Sequence, residues 1–348
     1  MRRNLLKTLF AGLFLSMLAP LTASADVEIN PTNFPDANFR NWLLRQSYGQ
    51  DGKITDEEIK GITSIDVSGK SICSLQGIEH FTALTSLYCS LNQLISLDVS
   101  KNRALTYLDC RDSQLTSLDV SKNTALTSLY CYLNKLTSLD VSSNAALEKL
   151  WCDGNQLTSL DVSHNTALTS LQCSSNQLTS LNVSKNTALG ELACQMNQLT
   201  SLDVSKNTIL ASLDCHYNQL TSLDVSNNMA LTRLNCSGNQ LTSLDVSKNT
   251  ALGELACHEN QLKGMSMDAF IKSLPVNISG QNYYLYIYSD SENEENACTR
   301  SQVATIKVKG WIPYNISTWS EYEGRDDESA DIKSPIRRVH SKAMPSTA

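Results

Sequence analysis

Cysteine recurs every 21 residues along the middle of this chain, at 89, 110, 131, 152, 173, 194, 215, 236 and 257. A thiol can act as a nucleophile, ligate a metal or form half of a disulfide, and two of the nine stand beside a histidine: Cys215 with His216 and Cys257 with His258. Aspartate keeps the same spacing at 98, 119, 140, 161, 203, 224 and 245, a carboxylate column of the kind that could hold calcium. Each chemistry depends on where the backbone points these side chains.

The backbone is set by a repeat. ALTSLYCYLNKLTSLDVSSNA at 125–145 is followed by ALEKLWCDGNQLTSLDVSHNT at 146–166, and a fixed period this short means a solenoid with one coil per repeat. Each coil has two similar halves, Leu126-x-x-Leu129-x-Cys131-x-x-Asn134 and Leu136-x-x-Leu139-x-Val141-x-x-Asn144. Leu129 and Cys131 alternate with Tyr130 and Tyr132 at the period of a strand. Both halves read as short strands, which predicts a leucine-rich-repeat solenoid with parallel β on both faces, coils about 4.8 Å apart and little curvature. The ladder cysteines then point inward as buried, reduced thiols. Their parallel Cα to Cβ vectors suit a disulfide poorly, and an in-line column cannot surround an ion tetrahedrally. His216 and His258 point outward, away from the thiols. The aspartate column lacks the glycine-rich turns of calcium-binding solenoids, and Lys101, Lys122, Lys185, Lys206 and Lys248 follow three residues on to offset its charge. No convergent catalytic set emerges, so neither an enzyme nor a cofactor is expected. Two asparagine columns, one from Asn92 and Asn134 to Asn260, the other from Asn102 to Asn249, fall where the chain must turn. A stacked amide there can satisfy both N–H and C=O groups that lack a sheet partner. Ser113 interrupts the first column and marks a weak point.

The flanks differ from the repeat. Residues 1–25 carry Arg2, Arg3 and Lys7, an apolar run broken by Pro20, and Ala23-Ser24-Ala25, the pattern of a secretory signal. No later run reaches the roughly 20 apolar residues of a membrane span, so the mature chain reads as exported, either secreted or held at the cell surface. A net charge of -7 with both signs mixed argues against a nucleic-acid partner. Residues 26–61 read as a helical cap, with a first helix reaching Gln46 whose apolar side holds Phe39, Trp42, Leu43 and Leu44. Asp51 to Glu58 looks like the second half of an EF-hand loop, with Asp51 and Glu58 as calcium candidates, but Ser47 and Gly49 stand where carboxylates belong. Thr55-Asp56-Glu57-Glu58 reads equally as a capping box, and the helical-cap reading is preferred. The solenoid spans 62–264, beginning with an atypical coil whose LQGIEHFTA half suits a helical turn. Residues 265–322 read as an α+β cap: a helix at 267–274, a strand at 283–288, a helix at 298–309 and a strand at 314–322. Residues 323–348 read as a disordered tail. Cys73 and Cys298 lie at opposite ends of a stack about 40 Å long and cannot pair within one chain.

LxxLxCxxNxLxxLDVSxN with a cysteine ladder resembles the cysteine-containing leucine-rich repeats of the internalin family, over 62–264. The resemblance implies a non-catalytic surface protein that contacts host cells or neighbouring bacteria. The LPxTG wall-sorting motif of such relatives does not occur here, so the resemblance carries no mode of anchorage. Comparison of the coils with one another places function on one face. The LTSLDVSKNT half barely changes, whereas the outward residues beside each cysteine vary. Tyr88, Tyr130, Tyr132 and Trp151 gather in the early coils, with Asp109, Arg111 and Asp153 among them. Tyr, Trp and Arg are enriched at binding hot spots. The expected activity is adhesion through this face to a host or bacterial surface protein. A glycan partner, or a purely structural envelope scaffold, are the alternatives.

Overall fold

The computed structural model describes residues 26–277 and 280–326, so the signal-like segment 1–25 and most of the expected tail lie outside the described residues. Strands β1 (Val27–Glu28) and β2 (Lys53–Ile54) pair antiparallel ahead of the repeats, and strand β3 (Ser64–Asp66) opens the solenoid. Strands β4 to β12 follow at Ser86–Tyr88, Tyr107–Asp109, Ser128–Tyr130, Lys149–Trp151, Ser170–Gln172, Glu191–Ala193, Ser212–Asp214, Arg233–Asn235 and Glu254–Ala256. All pair in parallel, β3 with Ile65 opposite Leu87 and the rest with leucine opposite leucine, as in Leu108, Leu129 and Leu150. Each coil buries the six apolar residues the repeat supplies; Leu126, Leu129, Cys131, Leu136, Leu139 and Val141 all lie in one continuous core.

Strands form on one face only, which corrects the expectation of two. Opposite β4 to β12 no strand forms among the described residues; one backbone bond joins successive coils at the start of that half, as Lys135 N to Leu115 O, and a bridge joins Asp98 to Asp119. Asp98 Oδ1 accepts a hydrogen bond from Ser100 N at 2.8 Å, and the same turn recurs at Asp119, Asp140, Asp161, Asp203, Asp224 and Asp245. The same bond closes at Asp66, Asp109 and Asp214 inside β3, β5 and β10, so it shapes the turn that follows and does not itself exclude a strand. These Ser N–H and hydroxyl groups hold the carboxyls below their ordinary range, and each carboxylate has a turn to close.

The two asparagine columns behave differently. Asn134 Nδ2 donates to Cys110 O and Cys131 O at 3.0 Å, and its Oδ1 accepts from Leu115 N at 3.0 Å. That column satisfies both kinds of group. In the second, Asn144 Nδ2 donates to Val120 O and Asn123 O, but its Oδ1 is buried without a partner. The turn N–H groups there are already bonded within the turn, as Asn144 N to Val141 O and Leu147 N to Asn144 O, so the second column satisfies carbonyls alone. At the gap, Ser113 Oγ has no partner. By the geometry of Asn134, an asparagine at 113 would accept from Leu94 N and add a second donor to Cys89 O and Cys110 O, which already accept from Asn92 and Asn134. Ser113→Asn should therefore raise the unfolding free energy by about 1 to 3 kcal/mol, read as a higher urea midpoint; an unchanged midpoint would mean that Leu94 N already has a partner.

The ladder cysteines are buried and unbridged, and burial pushes their thiols up, Cys236 to about 12. Thiolates are the reactive species. Of the eleven cysteines only Cys73 is exposed. A chromogenic disulfide reagent should thus label a single thiol in the folded protein and the remainder only in denaturant. Rapid labelling of several thiols before unfolding would contradict a closed core.

Both ends are covered. At the N-terminal end, helix α1 (Ala37–Leu43) is capped by Asp36, whose other oxygen accepts from Cys73 N and Ser74 N of the first coil. Phe39 and Leu43 are buried and Trp42 packs against the core, whereas Leu44 faces solvent, contrary to expectation, because the helix ends there. Phe34 seats against Gly77, where a Cβ would come within 2.2 Å of its ring. Helix α2 (Asp56–Gly61) begins with the capping box: Thr55 Oγ1 accepts from Glu58 N, and Glu58 Oε2 accepts from Thr55 N at 2.8 Å. The LQGIEHFTA half of the first coil forms the expected helical turn at Ile78–His80.

At the other end the cap continues the solenoid's own bonding. Helix α3 (Gly264–Ser273) leads to strand β13 (Tyr283–Tyr288), which pairs in parallel with β12. Helix α4 (Arg300–Val308) precedes β14 (Trp311–Asn315), which pairs with β13; the expected single last strand is instead β14 and a short antiparallel β15 (Ser320–Glu321). Asn296 takes the next place in the first asparagine column, with Nδ2 to Cys257 O and Oδ1 from Leu262 N, both at 2.8 Å. Part of the expected tail is ordered: Arg325 N donates to Cys298 O, and Arg325 lies over the Tyr288 ring.

Candidate binding face

The outward positions of β4 to β7 carry the aromatic residues read from the sequence, and the parallel register puts them in rows. Tyr88, Asp109, Tyr130 and Trp151 are successive partners across the sheet. Asp109 alone would break the aromatic row. Tyr107, two residues earlier on the same strand, closes the gap: its ring lies 4.7 Å from Tyr88 and 5.3 Å from Tyr130, and Tyr130 meets Trp151 edge-on at 4.8 Å. Four rings therefore run unbroken across four coils, each half-buried against its neighbours. Tyr107 was not among the residues singled out from the sequence. The period-two alternation that turns Tyr130 outward also turns outward the column of Ser86, Tyr107 and Ser128, and that signal was sufficient to find it.

Beneath this row Asp109 is 4% exposed, and burial raises its carboxyl above the usual range against the pull of Arg111. It is a support for Arg111, whose Nε lies 3.4 Å from Asp109 Oδ2, and not itself a contact surface. Arg111 donates to Tyr132 Oη and stands over the Tyr132 ring, 5.4 Å from its centroid. Tyr132 in turn approaches Trp151 at 6.3 Å, so the rings and the guanidinium form one cluster. Asp153 bonds instead to the next coil. Its Oδ1 accepts from Ser174 N in the next coil at 3.0 Å, and burial raises its carboxyl too. Asp51 Oδ1 accepts from Lys53 N, and Glu58 closes the capping box. Among the described residues no three His, Cys, Asp or Glu side chains gather as a metal site would require, and no helix is long and apolar enough to cross a membrane.

The geometry defines a class: a leucine-rich-repeat solenoid with a cysteine ladder, one variable sheet face and a cap at each end. No family model matches the chain. Over 70 residues, 20% of its length, it is 44% identical to Internalin J of Listeria monocytogenes, of which that stretch is 8%. Its structure is similar to the functional domain of InlJ from Listeria monocytogenes, which includes a cysteine ladder, with a TM-score of 0.67 and 38% identity over 80% of this chain and 61% of that one. An internalin, inlF, of the same species shares the fold at a TM-score of 0.64 and 22% identity, over 84% of this chain and 92% of that one. The chain spans less than two thirds of either Internalin J match. In sequence and in fold it is similar to the internalin leucine-rich-repeat proteins.

Proposed function

We propose that this chain is an exported, non-catalytic adhesion module that binds a host or bacterial surface protein through the early part of its sheet face. The observation that carries this reading is the unbroken row Tyr88, Tyr107, Tyr130 and Trp151 with Arg111 clamped beside it. Rings held by a sheet and by one another lose little conformational entropy when a partner covers them, and aromatic and arginine side chains dominate binding hot spots. The half of each coil that varies is the half that presents these residues. Protein ligands suit the row because it is long and shallow, extending over four coils.

The test is a pull-down from host-cell and bacterial-surface extracts with the wild-type chain and with a variant carrying Tyr107, Tyr130 and Trp151 as serine. A captured protein should bind the variant at least tenfold more weakly while its circular dichroism stays that of the solenoid. Equal capture by both proteins would remove the early face as the site. Capture of nothing by either would favour a scaffold whose stack only spaces its two ends.

A further inference from the structure

The same sheet carries a second feature at its other end. Across β9 to β12 no outward strand residue carries an aromatic ring, Ala193, Ser212 and Ala256 stand among charged and amide side chains, and the C-terminal cap rises beside them. The result is a recess of about 520 Å³, within the range of small-ligand pockets.

Two of its walls are aromatic. Tyr217 occupies the left-handed turn position that recurs from coil to coil, as at Leu133, Met196 and Glu259, and there it presents a ring at the edge of the recess; Trp319 stands opposite in the turn between β14 and β15. Both rings are open to solvent, Trp319 being 70% exposed and Tyr217 45%. Tyr217 lies over Gly238, where any Cβ would come within 2.2 Å of the ring, so the next coil is shaped to hold it flat. Tyr286 of β13 meets Trp319 edge-on at 6.2 Å and completes the apolar wall.

The floor is polar and preset. Asp214 Oδ1 lies 2.5 Å from His216 Nδ1, and Asn235 Nδ2 lies 3.1 Å from the same nitrogen. Arg233 stands between Ser212 and Glu254 in the row and makes no ion pair among the described residues. His258 is 8% exposed and its Nδ1 has no hydrogen-bond partner.

We infer that this recess is a second binding site, for a short neutral saccharide. The apolar C–H face of a sugar ring lies on the electron-rich face of an aromatic ring, here Trp319 or Tyr286. Its hydroxyls both donate and accept, which suits a floor of carboxylate, amide, imidazole and guanidinium. Glu191, Asp214 and Glu254 disfavour anionic sugars, and Arg233 in the middle of the row disfavours a cationic side chain. This site is independent of the early aromatic row.

The experiment uses the full chain on an array of neutral, sialylated and sulfated oligosaccharides together with lysine- and arginine-rich peptides, followed by calorimetric titration of the strongest neutral binder. Trp319→Ala and Asp214→Asn should each weaken that neutral saccharide at least tenfold, with circular dichroism unchanged, while the early-row triple variant binds it normally. An array on which no neutral saccharide is retained overturns the proposal, as does retention that both single variants leave intact. Peptides retained in its place, and lost in Trp319→Ala, would assign the recess to a basic protein segment and overturn it equally.

Discussion

Asn134→Leu should lower the unfolding free energy by about 2 to 6 kcal/mol, more than any single ring of the binding face. The buried amide is the partner of Cys110 O and Leu115 N, which have no other among the described residues, and it shares Cys131 O with Asn155. Each buried group left unpaired costs about 1 to 3 kcal/mol, and relaxation recovers part of the sum. Asn144→Leu in the second column should cost less. Val120 O and Asn123 O each keep a backbone donor, Asn123 N and Leu126 N, and the change removes an Oδ1 that is already buried and unpartnered. The order of the two variants is the informative quantity, because volume and helix or strand preference change identically in both. Repeat arrays open locally, so hydrogen exchange should show the damage of Asn134→Leu centred on Leu115 and its two neighbouring coils, together with a lower urea midpoint. Equal effects at 134 and 144 would show that the extra acceptor carries no stability.

That asymmetry marks the limit of what the sequence discloses. The 21-residue period, the inward cysteines and the first asparagine column were all legible, because each follows from side-chain direction at fixed spacing. The second face was misread as sheet because Leu-x-Val alternation looks like a strand in either half. The aspartate before each Val does not decide between them, because Asp109 and Asp214 stand before a ladder cysteine with the same bond to their own backbone and lie in strands. Thr55 to Glu58 was open between a calcium loop and a capping box until Glu58 was seen bonded to Thr55 N. Asp109 and Asp153 were counted as contacts because alternation gives the direction of a side chain relative to its own strand, not what a neighbouring ring or coil lays over it. The late recess was hidden for the same reason. His216 and Asp214 point outward as read, but Tyr286 and Trp319, which make their surroundings a pocket, come from a cap whose placement no repeat encodes.

The pH dependence of the C-terminal cap should centre on Glu294. This carboxyl is 1% exposed, with Oε2 accepting from Glu259 N and Ser289 N at 2.9 Å and Oε1 from Asn296 N at 2.8 Å. It therefore holds the loop that delivers Asn296 to the end of the asparagine column. Burial pushes its pKa from an ordinary 4.5 up to about 7, against the three N–H donors, with Glu259 adding a further push. Between those values the folded chain retains a proton that the unfolded chain has released. Its contribution is thus fully present below pH 4.5 and is lost as pH rises to about 7, a swing on the order of 3 kcal/mol. His258 lies in the same end of the solenoid, and burial lowers its pKa, so its contribution runs the other way and grows with pH. A wild-type profile alone would mix the two. Glu294→Gln separates them: glutamine offers one acceptor oxygen in place of two, which lowers stability by a constant amount, but it does not titrate. The difference between wild type and variant, from urea titrations at pH 4.5 to 8, should fall steadily up to about pH 7 and then level off. A difference that is flat across that range would show that the three N–H groups hold Glu294 ionised throughout, and would move control of cap docking to His258.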